Sequence, residues 1–157
     1  MRGGIRRHYC RPMHAMSRDE WWKFASRGTR TGKVAVTRAD GGPHVTPVWF
    51  VLAAEDGIDE LIFTTGAGTV KGRALRRDPR LSMCVDDQQP PFSFVQFSAE
   101  ATLHDDLGAM RHWSTRLGAR YMGEDRGAEF GARNAVPGEL LVRARITSVI
   151  AFGGLAD

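Results

Sequence analysis

Two stretches of this chain, HVTPVWFVLA (44–53) and FSFVQFSAEATL (92–103), carry apolar residues on both of the faces a strand would present. Successive side chains of a strand point to opposite sides, so an antiparallel strand with one wet face alternates apolar and polar residues. Here both sides call for cover. In the first stretch His44, Thr46, Val48, Phe50 and Leu52 share one face, and Val45, Pro47, Trp49 and Val51 share the other. A second subunit would supply that cover, and so would extra packing within the chain; the pattern alone leaves both open.

The punctuation around these stretches is that of hairpins. KVAVTR (33–38) alternates as a strand, and Ala39-Asp-Gly-Gly-Pro43 carries a turn signal before the return strand at 44–53. A second turn, AEDGIDE, leads into LIFTT (61–65), then a helix at about 69–77 that Asp78-Pro79 stops. RLSMCVD (80–86) is a further strand, Gln88-Gln-Pro-Pro91 a loop, 92–103 a long strand and ELLVRARITSVIAF (139–152) the last strand. Ser17 to Ala25 reads as a short helix opened by the capping box Ser17-Arg-Asp-Glu20. Leu107, Met110, Trp113, Leu117 and Tyr121 give an amphipathic helix over 106–122, closed by Gly123, with a helical piece at about 124–132. Six strands joined mostly by hairpins predict a mainly β domain, an antiparallel barrel with helices at its flanks.

A pI near 9.6 invites a nucleic-acid partner until the charge is located. The chain has 22 bases and 18 acids, and Arg2, Arg6, Arg7 and Arg11 fall in residues 1–15 with no acid beside them. The rest is therefore neutral, and no nucleic-acid partner is expected. Residues 1–15 read as a basic disordered tail upstream of a domain at 16–157, with Met16 or Met13 a sufficient start. The tail lacks the apolar centre of a signal peptide, and no segment approaches the ~20 apolar residues that cross a bilayer. A cytoplasmic protein without a membrane partner is expected. Cys10 and Cys84 suggest no disulfide framework.

Familiar catalytic signatures are missing: no Gly-x-Ser-x-Gly, no His-Glu-x-x-His, no phosphate loop, and no dinucleotide fingerprint in Gly66-x-Gly68-x-x-x-Gly72. His8, Cys10 and His14 do not complete a metal set, and no metal is expected. A chain without an evident nucleophile or acid–base pair, if an enzyme, borrows its chemistry from a cofactor. The stretch TTGAGTVKGRALRRDP (64–79) says where. A helix start presents unpaired N–H groups and the positive end of its dipole, which suits an anion. On a wheel of ~100° per residue, Val70, Lys71, Ala74 and Leu75 share the inward half, Arg76 lies opposite, and Arg73 and Arg77 sit on that side or its border. Lys71 and Arg73 are then placed for an anion, and Arg76 and Arg77 for solvent. The bland alternative, a snorkelling lysine and solubilising arginines, stays open at this point.

The segments GKVAVTRADGGPHVTPVWFV, LIFTTGAGTVKGRALRRDPRLSMCVDD and FSFVQFSAEATL resemble the split-barrel flavin and deazaflavin oxidoreductases related to pyridoxamine 5′-phosphate oxidase. The closing ARYMGEDRGAEFGARNAVPGELLVRARITSVIAF is similar to the actinobacterial branch that uses the deazaflavin coenzyme F-420. The resemblance implies an antiparallel split β-barrel and a homodimer with a cofactor in each cleft between subunits. It implies that Thr46, Pro47, Val48 and Trp49 line the flavin-like ring, largely through backbone atoms. Thr64 and Thr65 at the strand end, with Lys71 and Arg73 at the helix start, would hold the cofactor's phosphate and tail. Phe94 and Gln96 would approach the cleft across the dimer, Phe94 and Trp49 serving as apolar walls. Related sequences often carry Asn where this chain has Ala74, and the arginine-ended C-terminal signature of true pyridoxamine-phosphate oxidases is replaced by AFGGLAD. The activity implied is hydride transfer from reduced F-420 to an activated unsaturated or quinone-like small molecule. FMN-dependent oxidase or flavin-reductase chemistry on the same fold, and non-catalytic carriage or sensing of the coenzyme, are the alternatives. No catalytic residue is assigned; Tyr121 is titratable but equally suited to packing with a tethered hydroxyl.

Overall fold

The computed structural model describes residues 12–156. Arg2, Arg6, Arg7, His8, Cys10 and Arg11 of the basic tail lie outside the described residues. The chain runs β1 (His14–Ala15), α1 (Arg18–Ser26), β2 (Gly32–Thr37), β3 (Pro43–Val48), β4 (Val51–Glu55), β5 (Ile58–Gly66) and α2 (Val70–Arg77). It continues with β6 (Arg80–Asp86), β7 (Phe94–His104), α3 (Leu107–Met122), a 3₁₀ turn (Glu124–Arg126), α4 (Gly127–Asn134) and β8 (Glu139–Gly153). All strand pairs are antiparallel, in the order β3-β2-β6-β7-β8-β5-β4, with β1 added to the end of β8. β3 and β4 pair with β2 and β5 but not with each other, so the curled sheet is a barrel split along that seam. No helix among the described residues is long and apolar enough to cross a membrane.

Two of the eight strands were not foreseen. His14 and Ala15, expected in the tail, pair with Gly153 and Phe152. The expected return strand 44–53 is two strands, broken at Trp49 and Phe50. The break has a tertiary cause: the buried Phe50 N–H donates to the Tyr121 hydroxyl at 3.2 Å, and its carbonyl accepts from Arg120 Nη1 at 2.6 Å. Helix α3 takes the backbone groups that a neighbouring strand would otherwise take.

The barrel interior is filled from every wall by Phe50, Leu61, Phe63, Met83, Val95 and Phe97, with Trp21 of α1 and Leu75 of α2 closing over them. A second cluster lies on the other side of β4, β5 and β8, where Val51, Ala53, Ile62 and Leu141 pack on Met110, Trp113 and Leu117 of α3. Internal packing thus covers both faces of that part of the sheet. It does not do so around β3, β6 and β7, where Val45 is 63% and Ile150 of β8 51% exposed. Helices α3 and α4 meet closely at Gly118, where a β-carbon would stand 2.6 Å from Cβ of Phe130.

Candidate functional site

Strand β5 ends at Thr64-Thr65-Gly66, and β8 holds it there: Thr64 lies opposite Leu141 and Thr65 opposite Leu140. The chain then turns into α2 with Thr69 as its N-cap, whose hydroxyl accepts from the Gly72 N–H at 3.1 Å. That hydroxyl also donates to the Gly66 carbonyl at 2.8 Å and lies 3.0 Å from the hydroxyl of buried Thr65. Thr69 is therefore the peg that joins strand end to helix start, a role the sequence reading did not give it. Its cap satisfies one of the first helical amides and leaves those of Val70 and Lys71 without an intrahelical acceptor. At Gly72 the helix presses on the loop: a β-carbon would lie 2.4 Å from the Gly66 carbonyl oxygen and 3.0 Å from that of Ala67. Only glycine allows this approach.

The helix wheel matches what is observed. Ala74 and Leu75 are buried, Val70 and Lys71 half-buried, and Arg73, Arg76 and Arg77 exposed. Lys71 is the informative residue. It has no hydrogen-bond or ion-pair partner among the described residues, and burial alone pushes its ammonium below the usual lysine range. A cation that is partly stripped of water and left unpaired costs free energy unless something negative joins it. Arg73 donates to the Gly68 carbonyl at 2.5 Å, folding its guanidinium back over the Gly66–Gly68 loop. At the far end of the helix, Asp78 is claimed by Arg80, whose hydrogen bonds hold its carboxyl down to about 2.

The remaining expected site residues form two further groups. Thr46, Pro47 and Val48 lie on the edge strand β3, beside β2, which together with β5 and β7 carries α2. Thr46 stands opposite Val34, on the barrel side, and its hydroxyl is buried without a hydrogen-bond partner among the described residues. Pro47 is exposed on the other side. The Trp49 indole stacks on Tyr121 at 5.0 Å and 1°, and meets Phe130 at 5.4 Å. Its side chain is turned into the α3–α4 pair, because the chain breaks there instead of continuing as a strand.

Phe94 and Gln96 are on the outer face of β7, since Val95 and Phe97 between and beyond them fill the interior. Gln96 faces Cys84 and Ile150, and Phe94 packs on Phe152 at 6.1 Å. A single chain does not bring these two residues to the α2 start; the sheet lies between. Elsewhere, Tyr121 donates to the Arg30 carbonyl at 2.7 Å and burial pushes its phenol up, so its hydroxyl is tethered and poorly suited to giving a proton. His44 accepts from or donates to nothing catalytic; its Nδ1 lies 3.2 Å from Arg38 Nη2 on the exposed edge. Arg120, which sequence reasoning passed over, gives its guanidinium to three backbone carbonyls, those of Ala25, Gly28 and Phe50.

The fold is thus an antiparallel split barrel with covering helices, and where β5 hands over to α2 it leaves Lys71 half-buried with no partner among the described residues. Residues 19–151 match the model of the family described as pyridoxamine 5′-phosphate oxidase, and the chain belongs to that family of flavin- and deazaflavin-binding, oxidoreductase-like proteins. Among solved structures, a conserved hypothetical protein of Mycobacterium tuberculosis is 26% identical with a TM-score of 0.74, over 88% of this chain and 86% of that one. A protein described as an F420 reductase is 22% identical with a TM-score of 0.61, over 81% of this chain and 94% of its own. A FAD-binding protein of Mesorhizobium loti is 17% identical with a TM-score of 0.63, over 89% and 95%. The latter two likenesses speak to fold. No curated protein matches the chain.

Proposed function

We propose that this protein is an oxidoreductase that uses coenzyme F-420, transferring a hydride to an activated unsaturated or quinone-like small molecule. The observation that carries the reading is Lys71, a half-buried cation at a helix start with no partner among the described residues. Thr46 adds a second mark, a buried hydroxyl with its hydrogen bond unmade. Both are repaired by a ligand with a phosphate at one end and a polar ring at the other. The F420 reductase of the same fold and the F-420-like closing segment favour the deazaflavin over FMN.

When bound, the deazaflavin supplies the hydride. The chain's own residues bind and orient. Lys71 and the amides of Val70 and Lys71 receive the phosphate, with Arg73 released from the Gly68 carbonyl to join them. Thr64 and Thr65 border this cradle, and Thr46 to Val48 offer hydroxyl and backbone groups to the ring. Phe94 and Gln96, facing away from the cradle, serve the partner's cleft in a homodimer formed over the β3, β6 and β7 face. The exposed Val45 and Ile150 and half-buried Phe94 and Phe152 on that side support such a dimer.

The test is to incubate purified protein with F-420 and with FMN separately, measure binding of each, and then assay turnover with quinone and activated-alkene acceptors. F-420 binding with turnover is the expected result. FMN binding alone moves the assignment to a flavin enzyme, and F-420 binding without turnover of any acceptor to a carrier.

A further inference from the structure

The backbone of the corner that ends the ring-facing segment is hydrogen-bonded by helix α3. Phe50 is fully buried between β3 and β4, where its peptide has no strand partner. Tyr121 accepts from its N–H at 3.2 Å and donates to the Arg30 carbonyl at 2.7 Å. Arg120 ties the Phe50 carbonyl at 2.6 Å to those of Ala25 at 2.7 Å and Gly28 at 3.0 Å, joining the corner to the end of α1 and the loop after it. The guanidinium also lies over the Phe50 ring at 4.6 Å, and the Trp49 indole is stacked on Tyr121.

Strand β3 has a neighbour on one side only. Hydrogen bonds to β2 restrain Thr46–Val48 there, and the free side leaves the strand able to peel away from the barrel. The corner at Trp49 and Phe50 is the next anchor along the chain. Resting on the cofactor site proposed above, we infer that Arg120 and Tyr121 are positioning residues for that site. They touch no cofactor; they hold Thr46–Val48 at one depth, so that the Thr46 hydroxyl and the segment's backbone meet the ring in a fixed place. A binding-competent segment populated only part of the time weakens apparent affinity by that fraction.

The variants are Tyr121→Phe, which keeps the ring stack and deletes the hydroxyl, and Arg120→Lys, which keeps the charge and loses the three-way reach. Two readouts separate positioning from general support. The first is amide hydrogen exchange of the ligand-free protein. Exchange should rise at Val48–Val51 and the β3 amides, and stay at wild-type levels in β6 and β7. The second is titration with F-420 and with FMN, following visible circular dichroism of the bound chromophore. Affinity should fall on the order of tenfold, from loss of buried hydrogen bonds that hold the competent segment, and the bound signal should change shape. Lys71→Ala, at the phosphate end, should weaken binding and leave that shape alone.

Exchange at wild-type rates in Tyr121→Phe overturns the inference. So does raised exchange with unchanged affinity and bound spectrum, while Lys71→Ala still weakens binding. If wild-type protein binds neither cofactor, or Lys71→Ala binds as tightly as wild type, the site reading itself has failed, whatever the exchange shows. Should Arg120→Lys not fold, Tyr121→Phe decides alone.

Discussion

Lys71 and Arg120 are both cations drawn partly out of water, and the chain treats them in opposite ways. Burial lowers the affinity of each for its proton, and neither has a carboxylate partner among the described residues. Arg120 hands three N–H groups to backbone carbonyls that would otherwise be stranded at a corner and a helix end. Lys71 hands its ammonium to nothing among the described residues. The first cation is spent on the fold. The second, on the function proposed above, is kept for the cofactor's phosphate. Partner accounting, more than burial, separates a structural charge from a site.

The contrast breaks most easily in the stability of two parallel variants. Arg120→Met removes the hydrogen bonds to the carbonyls of Ala25, Gly28 and Phe50 and should lower unfolding free energy by about 3 kcal/mol, read from urea denaturation. Lys71→Met replaces a desolvated, unpaired cation by an apolar chain of similar length, and should leave stability within about 0.5 kcal/mol of wild type or above it. Equal losses would erase the distinction.

Binding reverses the order. Lys71→Ala should weaken the cofactor by roughly 10- to 100-fold, the range for a charge-assisted hydrogen bond, Arg73→Ala by less, and Arg76→Ala by under about twofold. Negligible losses in all three would remove the anion from α2. Gly72→Ala tests the same place without touching charge. Its β-carbon would strike the Gly66 carbonyl, so α2 must back away from the loop. A stability cost of about 1–3 kcal/mol and weaker cofactor binding are expected, and wild-type behaviour would show that the close approach is dispensable.

The smallest effect is in pH. A lysine whose folded pKa lies below its unfolded value makes the folded state bind its proton less tightly. Its destabilising contribution is full below the folded pKa and is relieved as pH rises from there toward the unfolded value. Cofactor phosphate should move the pKa of Lys71 back up, which an NMR titration of its side chain with and without ligand would report. A downward or absent movement would mean that the phosphate sits elsewhere.

Much of the α2 site was legible because it is local. Wheel and stop signal both fall within residues 64–79, and the burial of Ala74 and Leu75 follows from spacing; the Thr69 cap went unread. The β3–β4 corner was not. No glycine or proline marks the break at Trp49 and Phe50; it is made by Arg120 and Tyr121, some seventy residues on, through hydrogen bonds that no local pattern encodes. That same distance hid the fate of the Trp49 ring. Of the two explanations left open for the doubly apolar strands, internal packing accounts for one region of the sheet. Helix α3 covers the side of Val51 and Ala53, while Val45 and Ile150 remain bare.

The central claim is that a phosphate-bearing redox cofactor docks where β5 meets α2. Parallel equilibrium titrations of wild-type protein and Lys71→Ala with F-420 test it most directly. The expected result is saturable binding at one coenzyme per chain, weakened at least about tenfold by the substitution. Wild-type protein that does not bind the coenzyme, or a variant that binds it equally well, would contradict the account.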